Sequence, residues 1–322
     1  MELFVDVADQ YRDFARYAGT SPCFEEWAEE VAEDEEVLAW IAQLPGIKQQ
    51  PNLVFAAARW HGVPAPGDYL RLREAILSGV LRETIMARAT QTNEAGRLAT
   101  LTPFLGRLAD EPIALLEVGA SAGLCLYPDR YSYEWTTPHG AVRAGDGPPL
   151  RCRVSGRFPT EVAVPRIAWR GGLDLHPLSV EDDDQMAWLR TLVWPEEDDR
   201  RAQLDRAIEV ACSDPPHLVA GDLTSDLDDL IDEASAYGPV VVIHSAVIAY
   251  LEPPSRADFH DQMLDRVDDG RCRWLSNEGP KVLPQITETG PGAPDDGHPF
   301  VLGLDGRAVA WTHGHGSAMT VL

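Results

Sequence analysis

The stretch LLEVGASAGLCL, residues 115–126, holds the residue types best suited to chemistry. Within it, Gly119, Ala120, Ser121, Ala122 and Gly123 satisfy the G-x-S-x-G pattern that carries a nucleophilic serine on a strand-to-helix elbow. The same residues, preceded by Glu117, also read as a small-residue turn whose backbone N–H groups can approach a ligand. A hydrolase needs an acid and a base after its serine. The chain supplies them in order: Ser121, then Asp174 or Asp222, then His244, His313 or His315. A ligand turn instead needs acids at the ends of neighbouring strands. Asp174 closes GGLD, and Asp222, followed by Leu223, closes AGD. An acid in the first of these places can accept from both ribose hydroxyls, and one in the second lies near an adenine amine. The hydrolase elbow sits after several strands, whereas residues 1–110 here read as helical and no HGGG-like oxyanion loop occurs. The ligand turn is the better-supported of the two.

The elements that must position these residues change character along the chain. In LFVDVADQYRDFARYA, Phe4, Val7, Ala8, Tyr11, Phe14 and Ala15 form one stripe at helical spacing. Further helices are expected over TSPCFEEWAEEVA, DEEVLAWIAQLP and PNLVFAAARWHG, each with proline or cap residues at its ends, and then over 70–88 and 93–108. From IALLEVG (113–119) onward, short apolar runs recur at 167–175, 217–223, 240–246 and 272–279, with helical stretches between several of them. That alternation predicts a parallel, doubly wound α/β sheet. Asp305-Gly306 between two alternating segments predicts a hairpin, so that an antiparallel strand finishes the sheet. Residues 127–164 read as an inserted β flap, and 280–299 as a long loop. TLVWPEEDDRRAQLDRAIEVA reads as an amphipathic helix whose Trp188, Leu192 and Trp194 cover the sheet.

Composition narrows the partners. The formal charge is −25, with lysine only at positions 48 and 281, so nucleic acid is a poor partner. No apolar run is long enough to span a membrane, and the acidic N-terminal residues do not resemble a signal peptide. The five cysteines, at 23, 125, 152, 212 and 272, show no C-x-x-C spacing. They read as reduced thiols of a cytoplasmic protein with no structural zinc. His313 and His315 lack a third ligand, so no metal site is assigned.

Together, Glu117, the 119–123 turn, Asp174, Asp222 and the closing antiparallel hairpin resemble the cofactor site of class I S-adenosylmethionine-dependent methyltransferases. Ser121 stands where that family has a glycine, and Asp174 lies well beyond its usual spacing of about 20 residues from the turn. Over nearly the full length, SPCFEEWA, QQPNLVFAA, TQTNEAGR, LLEVGASAGL, GLDLHPL, WLRTLVWPE, HSAVIAYL and WLSNEGP resemble the bacterial domain of unknown function 2332 family. The methyltransferase resemblance implies S-adenosylmethionine as cofactor and a small-molecule substrate. On a helix entering the carboxyl edge of the sheet, Gln91, Asn93 and Arg97 would hold the amino-acid end of such a cofactor, Arg97 suiting its carboxylate, although helix capping and bracing account for them equally. His244 would be a general base beside the methyl group and Glu278 would deprotonate or orient the substrate, against structural roles for both. The expected molecule is a helical cap, 1–110, with a Rossmann-like methyltransferase-type domain, 111–322. A serine hydrolase using Ser121 and a non-catalytic binding protein are the alternatives.

Overall fold

Asp6 starts the first helix, accepting the amides of Ala8 at 2.7 Å and Asp9 at 3.3 Å, so that α1 runs Val7–Tyr17. The structure is a computed structural model that describes residues 6–294 and 300–322. Phe4 of the expected stripe, and 295–299 of the expected loop, lie outside the described residues. Ser21 caps α2 (Pro22–Glu33) through the Phe24 amide, and Pro22 fits the first turn because that turn's N–H needs no partner. Asp34 caps α3 (Glu35–Ile41). Next come α4 (Pro51–Trp60), α5 (Tyr69–Ser78), α6 (Arg82–Ala87) and α7 (Leu98–Leu105), followed after a long interval by α8 (Asp183–Leu192) and α9 (Asp198–Ser213).

The chain divides into two compact units, residues 1–92 with 181–205 and residues 93–180 with 206–322. The boundary therefore differs from position 110: residues 93–110 group with the strands, and α8 groups with the helices. Inside the helical unit, Phe24 has its ring 5.1 Å from Phe55 and 5.6 Å from Trp27. Trp194 lies 5.5 Å from Phe14 and donates to Asn52 at 2.8 Å. Trp188 donates to the Ala89 carbonyl at 2.9 Å and meets Trp60 edge to face at 5.8 Å. The aromatic residues expected to cover the sheet are thus core residues of the helical unit. Helical periodicity marks an apolar face without naming the surface that covers it.

The second unit is built on one sheet, of eleven strands among the described residues. These are β1 (Ile113–Val118), β2 (Ser132–Thr137), β3 (Gly140–Ala144), β4 (Pro149–Gly156), β5 (Ile167–Asp174), β6 (His217–Ala220), β7 (Val240–Ser245), β8 (Arg273–Glu278), β9 (Phe300–Leu304), β10 (Arg307–Thr312) and β11 (Ala318–Val321). Their order is β3-β2-β4-β11-β10-β9-β8-β7-β1-β5-β6, with β8, β7, β1, β5 and β6 parallel throughout. Every residue of β1 is buried, as expected of a strand covered on both faces. The helices α10 (Leu227–Ser235) and α11 (Pro253–Asp268) supply Leu227, Leu230, Phe259 and Met263 to its core.

Two expectations change here. The 127–164 insertion is not a separate flap, because β2, β3 and β4 extend the same sheet, with β4 paired in parallel to β11. An antiparallel strand does follow β8, but it leads a β9-β10-β11 meander whose outer edge would be open without β4. Within 280–294, residues Pro284–Thr287 form a short helix, α12. No helix among the described residues is long and apolar enough to cross a membrane.

Candidate functional site

The direction of winding reverses beside β1, which pairs with β5 on one side and β7 on the other. Crevices at the carboxyl ends of strands at such a reversal are where open parallel sheets bind ligands. Glu117 stands in register with Gly172 of β5 and Ile243 of β7, one residue before β1 ends. The turn after it is held from within. The amides of Gly119 and Ala120 donate to Leu173 O at 2.7 and 3.3 Å, and that of Gly123 to Ala120 O at 2.7 Å. The Ser121 amide donates to Asp174 Oδ2 at 2.8 Å, and the Leu124 amide to Asn93 Oδ1 at 2.6 Å. No α-helix follows; the chain passes through a short 3₁₀ turn at Pro128–Arg130 into β2. The turn therefore lacks the helix dipole and the outward amides that a phosphate cradle uses.

The small residues have steric reasons. Gly119 adopts φ +68°, and a Cβ there would meet Val247 Cγ2 at 2.2 Å. At Gly172 a Cβ would lie 2.4 Å from that of Ala120, so the second glycine of GGLD makes room for the turn, while at Gly171 a Cβ would meet the Trp169 ring. Ser121 adopts φ +52° and is 4% exposed. Its burial and the missing helix remove the strand-to-helix elbow on which the nucleophile reading depends.

The three acids fare differently. Asp174, half-buried, accepts the amides of Ser121 and His176, both at 2.8 Å, and so ties the turn to the end of β5. Asp222 is exposed and accepts the amide and hydroxyl of Thr224 at 2.8 and 2.6 Å; that hydroxyl bond in particular holds its carboxyl below the usual range. It thus caps its own turn, while Leu223 packs on the core beside β1. Glu117 is buried, its Oε2 has no hydrogen-bond partner, and burial pushes its carboxyl up to about 8. The charge of Arg97 and the Cys125 thiol pull it down, and the nearby charge of Asp174 adds to the rise.

The TQTNEAGR motif braces this edge. Asn93 holds the turn through Leu124, and Glu94 O receives the Cys125 thiol at 3.4 Å. Arg97 donates from Nε to Gly314 O at 2.9 Å and from a terminal nitrogen to Ser245 O at 3.0 Å. Gln91 groups with the helical unit, and Asn93 and Arg97 group with the sheet unit. Cys125 and Tyr131, whose buried hydroxyl has no partner, were not singled out from the sequence. Cys125 sits between two leucines and gives no polar signal there.

His244 and Glu278 form a closed network. His244 has no exposed surface; its Nε2 accepts from Trp274 Nε1 at 3.0 Å, since an indole can only donate. Its Nδ1 therefore carries the proton and donates to Glu278 Oε1 at 2.8 Å. The same oxygen accepts the amides of Val247 and Ile248 at 3.0 and 3.2 Å. With both ring nitrogens engaged and no access, His244 serves as a structural residue rather than a general base. Glu278, 1% exposed, holds the turn after β7.

Among the described residues, no group of three or more His, Cys, Asp or Glu is placed to hold a metal. Compared with known proteins, residues 8–71 and 72–320 match the model of the family described as "Uncharacterized protein conserved in bacteria (DUF2332)". No curated protein and no solved structure matches the chain.

Proposed function

The chain belongs to the DUF2332 family, and from there we propose that its sheet unit is an S-adenosylmethionine-dependent methyltransferase acting on a small molecule. The parallel order β6-β5-β1-β7-β8, flanked by antiparallel β9, supports a Rossmann-like core of that class. One observation carries the choice of ligand: Glu117 Oε2 is buried and unpartnered beside a turn whose amides are largely spent internally. A buried carboxyl oxygen left unpaired costs more than 1 kcal/mol, roughly, and a cationic group that displaces the carboxyl's proton would satisfy it. A turn with few outward amides offers little to a pyrophosphate. The edge therefore favours a sulfonium-ammonium ligand over a dinucleotide.

In this reading Glu117 meets the ammonium end of the cofactor, and the half-buried Asp174 keeps lone pairs for the ribose hydroxyls. Bound S-adenosylmethionine supplies an electrophilic methyl group. The protein's share is to hold the acceptor in line with it and exclude water, since alignment supplies much of the rate. Arg97 fixes the end of β7 against the β10–β11 turn and so sets the width of that edge.

Calorimetry tests this. S-adenosylmethionine or its demethylated product should bind, and a nicotinamide dinucleotide should not. Glu117 titrates near 8, so a cation bound beside it at pH 7 converts it to carboxylate and releases a proton. The apparent heat should then depend on the buffer's ionisation enthalpy in the wild type and lose that dependence in Glu117→Gln. Absence of any binding heat for either adenosyl compound would remove the reading. The sealing of His244 and Glu278 favours one alternative, a non-catalytic binding protein, which would take up the same ligand without methylating a panel of amines, thiols and phenols.

A further inference from the structure

We propose that the end of β7 carries an oxyanion subsite, built by the Ser245 hydroxyl and the Arg97 guanidinium, that takes a carboxylate of the methyl acceptor; the proposal rests on the methyl-transfer reading above. Side chains alternate along a strand, so register sorts this edge of the sheet into two faces. Glu117 pairs with Gly172 of β5 and Ile243 of β7, and Ser245 pairs with Asn277 of β8. Asp174, Glu117, Ser245 and Asn277 therefore share one face. His244 and Glu278 belong to the other, where their network closes. On the first face, Glu117 and Asp174 lie on β1 and β5, the side given above to the cofactor. Ser245 and Asn277 lie across β1 from it, on β7 and β8, and leave that side for the acceptor.

A directed relay ends at Ser245. Thr312 and Asn277 have no exposed surface, while Ser245 is half-buried. Thr312 Oγ1 lies 2.6 Å from Asn277 Oδ1, and Asn277 Nδ2 lies 2.9 Å from Ser245 Oγ. Turning the amide over would let Ser245 donate to it, but would strand the Thr312 hydroxyl proton in the interior. Burial thus fixes the direction: Thr312 donates to Asn277, and Asn277 donates to Ser245. The Ser245 O–H is left with no acceptor among the described residues.

Arg97 meets it at the same strand end. It is 8% exposed, and donates from Nε to Gly314 O at 2.9 Å and from one terminal nitrogen to Ser245 O at 3.0 Å. Both acceptors are carbonyls. Among the described residues, no carboxylate lies within ion-pair range of this guanidinium, and its other terminal nitrogen has no acceptor. Glu117, the acid that feels its charge, is itself held toward the neutral form. A buried cation without a counter-charge is costly, and a bound carboxylate would supply one. A local cation is also what an acid needs to approach a chain of net charge −25. The substrate class follows: a small carboxylic acid that also bears the atom to be methylated.

The test is an NMR titration of the full ¹⁵N-labelled chain with sodium acetate, against sodium chloride at equal ionic strength. It is run on the free protein and on protein saturated with S-adenosylhomocysteine, with calorimetry to check saturation. Acetate should shift the Ser245 and Ala246 amides and the Arg97 Nε–H signal in both samples, and chloride should not. Ser245→Ala should weaken acetate binding about tenfold, the worth of one hydrogen bond to a charged group. Thr312→Val leaves Ser245 and Arg97 in place but no longer fixes the Asn277 amide, and should weaken it severalfold. Acetate shifts that vanish once S-adenosylhomocysteine is bound would mean that the cofactor's own carboxylate fills the subsite, and would overturn the assignment to the acceptor. Shifts absent from both samples, or unchanged by both substitutions, would overturn the subsite and leave the methyltransferase reading standing on the calorimetry. Failure of S-adenosylhomocysteine to bind would overturn that reading and the acceptor assignment together, with acetate on the free protein still reporting the subsite.

Discussion

Glu117 and Glu278 end strands of the same sheet, β1 and β8, and are about equally buried, at 4% and 1% exposed. In each, one carboxylate oxygen, Oε2, has no partner. They differ in the other oxygen. Glu278 Oε1 collects an imidazole N–H and two backbone amides, whereas Glu117 is steadied by the charge of Arg97 and, to a lesser degree, by the Cys125 thiol. Donors aimed at a carboxylate offset its desolvation; without them, burial drives it toward the neutral form. Depth alone therefore does not identify a functional acid. Glu278 is committed to the turn after β7, and Glu117 is the one left for a ligand.

Three substitutions would break or sharpen that contrast. Glu278→Ala should have the largest effect, about 3–5 kcal/mol of lost stability in urea unfolding, because it strands His244 and two amides in the interior. Loss of less than about 1 kcal/mol would mean that the two acids are alike.

Glu117→Gln should act in the opposite direction. The folded carboxyl titrates near 8 against an ordinary 4.5, so the fold favours its protonated form. That stabilisation is complete below about pH 4.5 and is lost as pH rises toward 8, at about 1.4 kcal/mol per pH unit. Glutamine mimics the neutral acid, so the variant should be more stable than wild type at pH 7, by on the order of 2–3 kcal/mol, and equal to it at pH 4. A difference independent of pH would show that Glu117 is not held neutral.

The smallest effect, about 1–3 kcal/mol, is expected for Asn93→Ala, which leaves the Leu124 amide without its acceptor. Hydrogen exchange should speed up over 119–124 while β8 stays protected. Loosening of both strand ends alike would erase the distinction between them.

Much of the sheet was legible in sequence. IALLEV and VVVIHS are short, mainly apolar runs ended by turn signals, and a strand buried on both faces leaves that trace. Asp305-Gly306 marked the β9–β10 hairpin because only a few residues tolerate its backbone conformation; Asp305 adopts φ +49° and Gly306 φ +78°. Glu117, Asp174 and the turn between them were legible because small residues beside acids at strand ends are uncommon in purely packed regions. The roles of His244, Asp222 and Trp188 were not. Each has a residue type that suits chemistry or a surface, and a partner distant in sequence settled the matter for His244 and Trp188: Trp274 and Trp60. The insertion 127–164 misled for the same reason, since β4 finds β11 some 165 positions away, as between Ser155 and Thr320.

By itself the sequence determined where chain segments become helices and strands, which faces are apolar, and which strand ends carry acids. These depend on local periodicity, capping and turn chemistry, all written within a few residues. Only the tertiary structure decided which acid is satisfied, which histidine is sealed, and that one guanidinium ties the THGHG turn to the end of β7. Hydrogen-bond satisfaction and desolvation are set by groups brought together from remote positions, and short-range sequence pattern carries no term for them.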